Sequence, residues 1–202
     1  MEYLQLSKVY VNNIHNKAGT QAISIDGSAN ITHYGTIFNK NNSVVLRGFY
    51  LNTNYSTTTS PTALTTWTEM NNASRGFKPV GIANGVTVDT SNGHFSFATT
   101  GVYRVSWTIH CQTGSSTRWI QADLRYRPNG GSFHTTDTYN YLQETQSTTT
   151  YHSFMRERYF NIAHTNDRVL CQIAANASIV IRGSSDNSGD TWIFFEKVAE
   201  AV

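Results

Sequence analysis

The chain has 202 residues, a formal net charge of +2, 14% charged residues and 12% aromatic residues. This length allows one domain of ordinary size, or one domain with an arm, and argues against a two-domain enzyme. The weak charge, without any run of Lys or Arg, argues against a nucleic-acid-binding surface, and no stretch approaches the 18 or so consecutive apolar residues that would cross a bilayer. Ser, Thr and Asn make up about a third of the sequence, so we expect hydroxyls and amides to solvate the surface.

The amino terminus does not resemble a secretion signal. Glu2 stands where a signal peptide has basic residues, and no apolar stretch follows it. We therefore expect synthesis in the cytoplasm without standard export.

Residues 1–42 are predicted to form an extended attachment arm. This region is poor in aromatics, and its β-like stretches, residues 9–14 and 22–25, are followed by a polar hinge at residues 39–42. So short a segment cannot bury a core alone, so its apolar residues need another chain to cover them. The candidate attachment residues are Val9, Val11, Ile14, Ile23 and Ile25.

Residues 43–202 are predicted to form an all-β head. Short stretches rich in β-branched and aromatic residues alternate with Gly, Asn, Asp and Ser clusters, which is typical of a sandwich or barrel. The predicted strands are residues 44–51, 85–88, 94–97, 102–109, 119–126, 154–162, 168–173, 177–181 and 191–198. Residues 63–70 and 150–163 also fit a helical turn but are interpreted as strand-like, and residues 56–62 and 146–150 are predicted to be polar loops.

The last strand is apolar on both faces. Alternation places Trp192 and Phe194 on one face and Ile193 and Phe195 on the other. Because a single sandwich buries one face of each sheet, the second face indicates another subunit, or else a strand inside a thick core.

One stretch of the head resembles a known signature. A turn at Asn92-Gly93 leads into Phe95, which stands six residues before Gly101 and the alternating strand Tyr103, Val105, Trp107. This arrangement is similar to that of the globular heads of the complement and tumour necrosis factor superfamily. Further matches follow in the same order at residues 124–130, 166–170 and 191–198.

The chain departs from that superfamily at two places. Asn166 replaces a usual Gly, and Phe194-Phe195-Glu196 replaces the common Phe-x-Gly of the last strand. The resemblance implies a homotrimer of jelly rolls. The candidate residues for the trimer interface or the core are Tyr103, Val105, Trp107, Trp192 and Phe194.

The arm carries a second resemblance. Residues 8–14, followed by Gly-Thr-Gln-Ala-Ile-Ser-Ile-Asp at residues 19–26, are similar to the opening of many tailed-bacteriophage fibre and virion-appendage proteins. The resemblance implies a virion protein whose arm docks onto other virion proteins.

No catalytic or metal-binding motif stands out, so we expect neither enzymatic activity nor a cofactor. The sequence lacks Gly-x-Ser-x-Gly, His-Glu-x-x-His and a glycine-rich phosphate loop. Residues 186–190 are the one oxygen-rich loop that could bind calcium, although a polar turn is the preferred interpretation. Cys111 and Cys171 are interpreted as buried reduced thiols, with a single disulfide as the alternative.

Tyr139, Asn140 and Tyr141 are the candidate receptor or glycan contact, since tyrosine faces stack on sugar rings and amides bind hydroxyls. Packing at a subunit interface explains the same residues and is preferred. The predicted function is that of a short phage fibre whose head binds a host receptor or glycan. The alternatives are a capsid-decoration (cement) protein and a free sugar-binding lectin.

Overall fold

The computed structural model describes residues 13–15, 21–25, 31–33, 45–57, 60–71, 79–114, 117–142, 150–184 and 190–202, with the backbone alone for residues 13–33, 57 and 135–142 of these. The chain divides into two compact units, Met1–Lys40 and Asn41–Val202. The first unit holds one antiparallel sheet of three short strands, β1 (Asn13–His15), β2 (Gln21–Ile25) and β3 (Ile31–His33). Ile14, Ile23 and Ile25 lie in these strands, whereas Val9 and Val11 lie outside the described residues.

The second unit is an antiparallel sandwich of two sheets, as predicted. The six-stranded sheet has the order β13-β12-β15-β10-β9, with β6 also paired to β15. The eight-stranded sheet has the order β5-β16-β11-β17-β4-β7, with β14 paired to β11 and β8 paired to β4. The strands are β4 (Val45–Leu51), β5 (Tyr55–Thr57), β6 (Thr62–Ala63), β7 (Trp67–Glu69), β8 (Val80–Gly81), β9 (Val86–Asp89), β10 (His94–Phe97), β11 (Gly101–Thr113), β12 (Trp119–Arg127), β13 (His134–Leu142), β14 (Thr150–Ile162), β15 (Arg168–Ala175), β16 (Ile179–Ile181) and β17 (Trp192–Ala199).

Alternation in the long strands creates the core between the two sheets. In β11 every second residue is buried from Gly101 to Thr113, because strand side chains point to opposite faces in turn. Phe95 contributes from the six-stranded sheet and packs against Phe49 and Phe195, with ring centroids 5.2 and 4.7 Å away. Each sheet therefore has one face in the core and one outer face.

The predicted alternation of the last strand is confirmed. Ile193 and Phe195 of β17 are fully buried, while Trp192 and Phe194 are partly exposed on the outer face of the eight-stranded sheet. The two ambiguous stretches are strand-like, as interpreted: β14 begins at Thr150, and β6 and β7 lie within residues 62–69.

Four strands differ from the prediction, since β3, β5, β8 and β13 were not predicted. The predicted loop at residues 56–62 begins inside β5, whose Tyr-Ser-Thr sequence is too short to show an apolar pattern but whose backbone pairs with β16. Strand β13 was not predicted, and the loop predicted for residues 146–150 ends in β14. A strand at a sheet edge is held by backbone hydrogen bonds, so its sequence needs little hydrophobic signal.

Cys111 and Cys171 are both free and buried, which confirms the preferred interpretation of two thiols. Cys111 lies in β11 of one sheet and Cys171 in β15 of the other.

Candidate functional site: the two outer sheet faces

The outer face of the eight-stranded sheet is apolar. Tyr151, Met155 and Tyr159 of β14 are 66%, 62% and 59% exposed, and their strand partners on β11 are outward-facing residues. Val80 lies on the same face, since it stands opposite Leu46 of β4. Apart from Val198, at a bulge in the pairing of β17 with β11, and the terminal Val202, every exposed large hydrophobic residue in the described part of the chain therefore belongs to this face. We call it the apolar face.

A groove runs across the middle of the apolar face. Its volume is about 260 Å³, and the residues lining it are Leu46, Arg104, Ser106, Met155, Glu157, Trp192, Phe194 and Glu196. The Trp192 and Phe194 rings meet edge to face with centroids 5.0 Å apart. The Phe194 ring lies directly over Gly48. A Cβ atom at Gly48 would stand 2.4 Å from that ring, so the ring can pack here only because residue 48 has no side chain.

Two of the three charged groups in this groove are paired with each other, and the third is hydrogen-bonded. Arg104 forms a salt bridge with Glu196, and Ser106 donates a hydrogen bond to Glu157 with an oxygen–oxygen distance of 3.1 Å. A charge that is paired within one chain can be covered by a partner at less cost than an unpaired charge. The apolar face is therefore suited to burial against another protein surface.

A serine and a histidine meet at one end of the same face. Ser153 Oγ lies 2.7 Å from His110 Nδ1, beside a cavity of about 230 Å³. The nearest carboxylate lining that cavity, Asp190, is paired with Arg182 at 3.5 Å. A serine nucleophile needs a base that a third group orients, and the acid available here is occupied by an arginine. The arrangement therefore offers a polar edge to the apolar face.

A buried carboxylate braces one end of the sandwich. Asp167 is fully buried and accepts hydrogen bonds from the backbone N–H of Asn129 (2.6 Å), the backbone N–H of His164 (3.0 Å) and the Tyr126 hydroxyl (2.8 Å). Burial raises the pKa of Asp167, but these hydrogen bonds outweigh it and hold the pKa below its ordinary value. Asp167 thus acts structurally, by fixing the turn after β12 to the turn before β15.

The candidate residues are distributed between the core and the outer face. Tyr103, Val105 and Trp107 are fully buried in the core, whereas Trp192 and Phe194 lie on the apolar face. The backbone of Tyr139, Asn140 and Tyr141 lies in β13, opposite Ala122, Gln121 and Ile120, and their side chains are outside the described part.

The candidate calcium loop is also largely outside the described residues, which reach only its last member, Asp190. Among the described residues, no three His, Cys, Asp or Glu side chains cluster as a metal site. No helix in the described part is long and apolar enough to cross a membrane.

Sequence reasoning missed the exposed residues of β14. Their signal was available, since Tyr151, Met155 and Tyr159 recur at intervals of four and so share one face of a strand. That spacing also fits a helix, which is why the stretch stayed ambiguous.

The two antiparallel sheets packed face to face define a jelly-roll sandwich, and comparison with known proteins specifies its type. No protein-family model matches the sequence, and no curated protein matches it either. Solved structures do match: Eiger TNF from S. frugiperda aligns with a TM-score of 0.59 and 16% identity, over 79% of this chain and 96% of that one. Murine APRIL at pH 5.0 aligns with a TM-score of 0.54 and 15% identity, over 77% of this chain and 99% of that one. The chain therefore has a tumour necrosis factor-like jelly-roll fold.

Proposed function

We propose that this protein is a non-enzymatic binding protein that assembles as a homotrimer through the apolar face. The observation that carries the proposal is the concentration of exposed Tyr and Met side chains beside the partly exposed Trp192 and Phe194 on one outer sheet face. Contiguous exposed apolar surface of this kind marks an interaction site. A second and third copy of the chain are the partners that the superfamily resemblance implies.

We further propose that the trimer is an appendage of a tailed-phage virion, attached through residues 1–42. The support is the resemblance of residues 8–26 to the opening of fibre and virion-appendage proteins. In a short fibre, the three heads would present one surface three times to a host glycan. Three linked sites raise avidity without any new contact, so a weak single site would suffice.

Light scattering on variants of the apolar face tests the assembly. The wild-type protein is expected to have three times the 22.6-kDa mass of the chain. Met155→Glu places a charge in the groove at a position that is 62% exposed, so it should leave the fold intact while shifting the mass to that of a monomer at low micromolar concentration.

Thr87→Glu is the matched control, since Thr87 is exposed in β9 on the other sheet. Its mass is expected to stay trimeric. A wild-type monomer, or a Met155→Glu variant that remains a trimer, would contradict assembly through the apolar face.

Binding assays separate the possible roles. A short fibre is expected to bind purified bacterial surface polysaccharide without releasing reducing ends, whereas release would indicate an enzyme. A decoration protein would instead be present in many copies per particle, and its deletion would weaken the capsid. A monomeric or dimeric protein that binds sugar without any particle would indicate a free lectin.

A further inference from the structure

The outer face of the six-stranded sheet has the opposite character to the apolar face. Arg127 of β12 stands directly opposite Arg168 of β15, and Arg168 stands opposite Ser96 of β10. In the adjacent row Leu170 lies between Arg125 and His94. Side chains directly opposite on one face have Cβ atoms about 5 Å apart, and like charges so placed repel each other. The sheet therefore concentrates positive charge in two neighbouring rows.

All three arginines contact neutral groups, through hydrogen bonds or through an aromatic ring. Arg125 donates to the Gln172 side-chain oxygen (3.1 Å) and the Phe133 carbonyl (3.0 Å). Arg168 donates to two backbone carbonyls, each at 2.7 Å. The Arg127 guanidinium lies over the Phe133 ring, 5.2 Å from its centroid.

Four cations in or beside the strands of the eight-stranded sheet are paired differently. Each of four has a carboxylate partner in a salt bridge: Arg47 with Glu69, Arg104 with Glu196, Arg182 with Asp190 and Lys197 with Glu200. By contrast, none of the three arginines of the six-stranded sheet forms a salt bridge with a described carboxylate, so their charge remains available to a ligand.

Two acids near the arginines accept hydrogen bonds from neutral groups and form no salt bridge with the arginines. Asp123 accepts two hydrogen bonds from the Gln121 amide, at 3.1 and 2.9 Å. Asp89, at the edge of the face, accepts from Ser91 and Asn92 within its own turn. Burial lowers the pKa of His94, and the charges of Arg127 and Arg168 lower it further against the opposing effect of Asp89. At the His94 ring, the positive charges of Arg127 and Arg168 therefore outweigh the negative charge of Asp89.

An aromatic ring completes the surface. Phe133 is half-buried between Arg127 and His94, whose ring centroid is 4.8 Å from its own. Aromatic faces pack against the C–H faces of sugar rings, and the arginine fork matches a carboxylate in two parallel hydrogen bonds. A flat sheet face with these groups fits a chain of charged sugars better than it fits an enclosed small ligand.

We propose that the patch formed by His94, Arg125, Arg127, Phe133 and Arg168 binds the carboxylates of an acidic polysaccharide. The proposal deepens the proposed function, on which it rests for the choice of a polysaccharide as the carrier of the negative charge. On the trimer the patch would occur three times, on the sheet that does not form the apolar face.

Calorimetry on the full chain with hexagalacturonate tests the patch. Arg127→Gln removes the charge whose described contacts are only the Phe133 ring and the neighbouring charges, so the fold should remain. The dissociation constant is expected to rise by at least about tenfold, the loss typical of one charge-assisted hydrogen bond. Arg182→Gln, which removes a cation paired with Asp190 in the other sheet, is the matched control and should change the constant less than about twofold.

Two further ligands distinguish the contribution of the sugar rings to affinity from that of the negative charge. Maltohexaose, a neutral hexamer, and inorganic phosphate, an anion without a sugar, are both expected to bind far more weakly than hexagalacturonate. Phosphate binding as tight as that of the oligosaccharide would overturn the assignment to a polysaccharide. Equal binding of hexagalacturonate by the wild type and by Arg127→Gln, or no binding by the wild type, would overturn the patch.

Nuclear magnetic resonance of His94 supplies a readout besides affinity. Arg127→Gln is expected to raise the pKa of His94 in the free protein, because one positive neighbour is lost, and bound hexagalacturonate should raise it in the wild type. If Arg127→Gln unfolds, Arg127→Lys keeps the charge without the fork and should show a smaller loss of affinity, and unchanged affinity would overturn the patch.

The same samples distinguish this proposal from the function on which it rests. A trimer that binds bacterial surface polysaccharide but ignores hexagalacturonate overturns the patch alone. A protein that binds no bacterial surface polysaccharide overturns the proposed binding function and the polysaccharide assignment together.

Discussion

Asp167 shows how a single residue fixes two turns that are distant in sequence. Its carboxylate accepts from Asn129, His164 and Tyr126, three donors on two separate segments. A buried acceptor that loses its charge leaves these donors poorly paired, which is costly because water cannot replace the lost partner.

Asp167→Asn is expected to lower the free energy of unfolding by about 2 kcal/mol at pH 7, the usual value of hydrogen bonds to a buried charge. Because the pKa of Asp167 is lowered on folding, its contribution is fully present above the unfolded pKa of about 4 and is lost as the pH falls through the folded pKa. Urea unfolding at several pH values should therefore show the wild type and the variant converging in acid. Asp89→Asn, at an exposed acid that also accepts within a turn, should change stability much less. A constant difference between wild type and Asp167→Asn down to pH 2 would contradict this account.

Two glycines in turns between strands differ in how well they should tolerate a side chain, although each follows an asparagine in the sequence. Gly93, in the turn from β9 to β10, has φ +75° and is so close to the Leu64 carbonyl that a Cβ atom would stand 2.3 Å from its oxygen. Gly130, between β12 and β13, has φ +74° with open space around it. The φ angle is therefore nearly the same at the two positions, whereas the packing around them differs.

Gly130→Ala is expected to cost about 1 kcal/mol, the penalty of an L side chain in the left-handed region. Gly93→Ala adds a backbone clash and should cost at least about 2 kcal/mol more, or prevent folding. Guanidinium unfolding of both variants makes the comparison. Equal losses would show that the Leu64 segment moves aside freely.

The strands were predictable where packing shapes the sequence. β11 and β17 alternate because one of their faces fills the core, and residues such as Tyr103 and Ile193 carry that pattern visibly. β5 and β13 were missed because hydroxyl-rich edge strands are held by backbone pairing.

The two outer faces were predictable to different degrees. Trp192 and Phe194 revealed the apolar face because alternation within one strand is readable. The patch that contains Arg127 and Arg168 could not be predicted from the sequence, because these two residues become neighbours only through the register of β12 and β15.

At the scale of the whole molecule, the reactivity of the two buried cysteines reports whether the two sheets separate in a single cooperative step. Burial raises the pKa of Cys111 to about 12 and that of Cys171 well above its ordinary value. Because the thiolate is the reactive form, both thiols should be inert in the native head.

An Ellman assay is expected to show no reaction with the native protein over hours and two equivalents after denaturation. Since the cysteines lie in opposite sheets across one core, separation of the sheets exposes both, and their labelling rates in mild denaturant should coincide. Single variants Cys111→Ala and Cys171→Ala assign each rate. Fast labelling of one cysteine alone would show that its sheet opens independently.

The position of β17 has a consequence for biosynthesis. This strand occupies the gap between β4 and β11, so the eight-stranded sheet stays divided until the last of its strands leaves the ribosome. At ordinary elongation rates, β4 waits on the order of ten seconds for its partner. During that interval two strand edges are open to neighbouring nascent chains on the same message. The eight-stranded sheet therefore closes only after β17 has been synthesised, and a chain that is truncated before β17 cannot close the sheet that carries the apolar face.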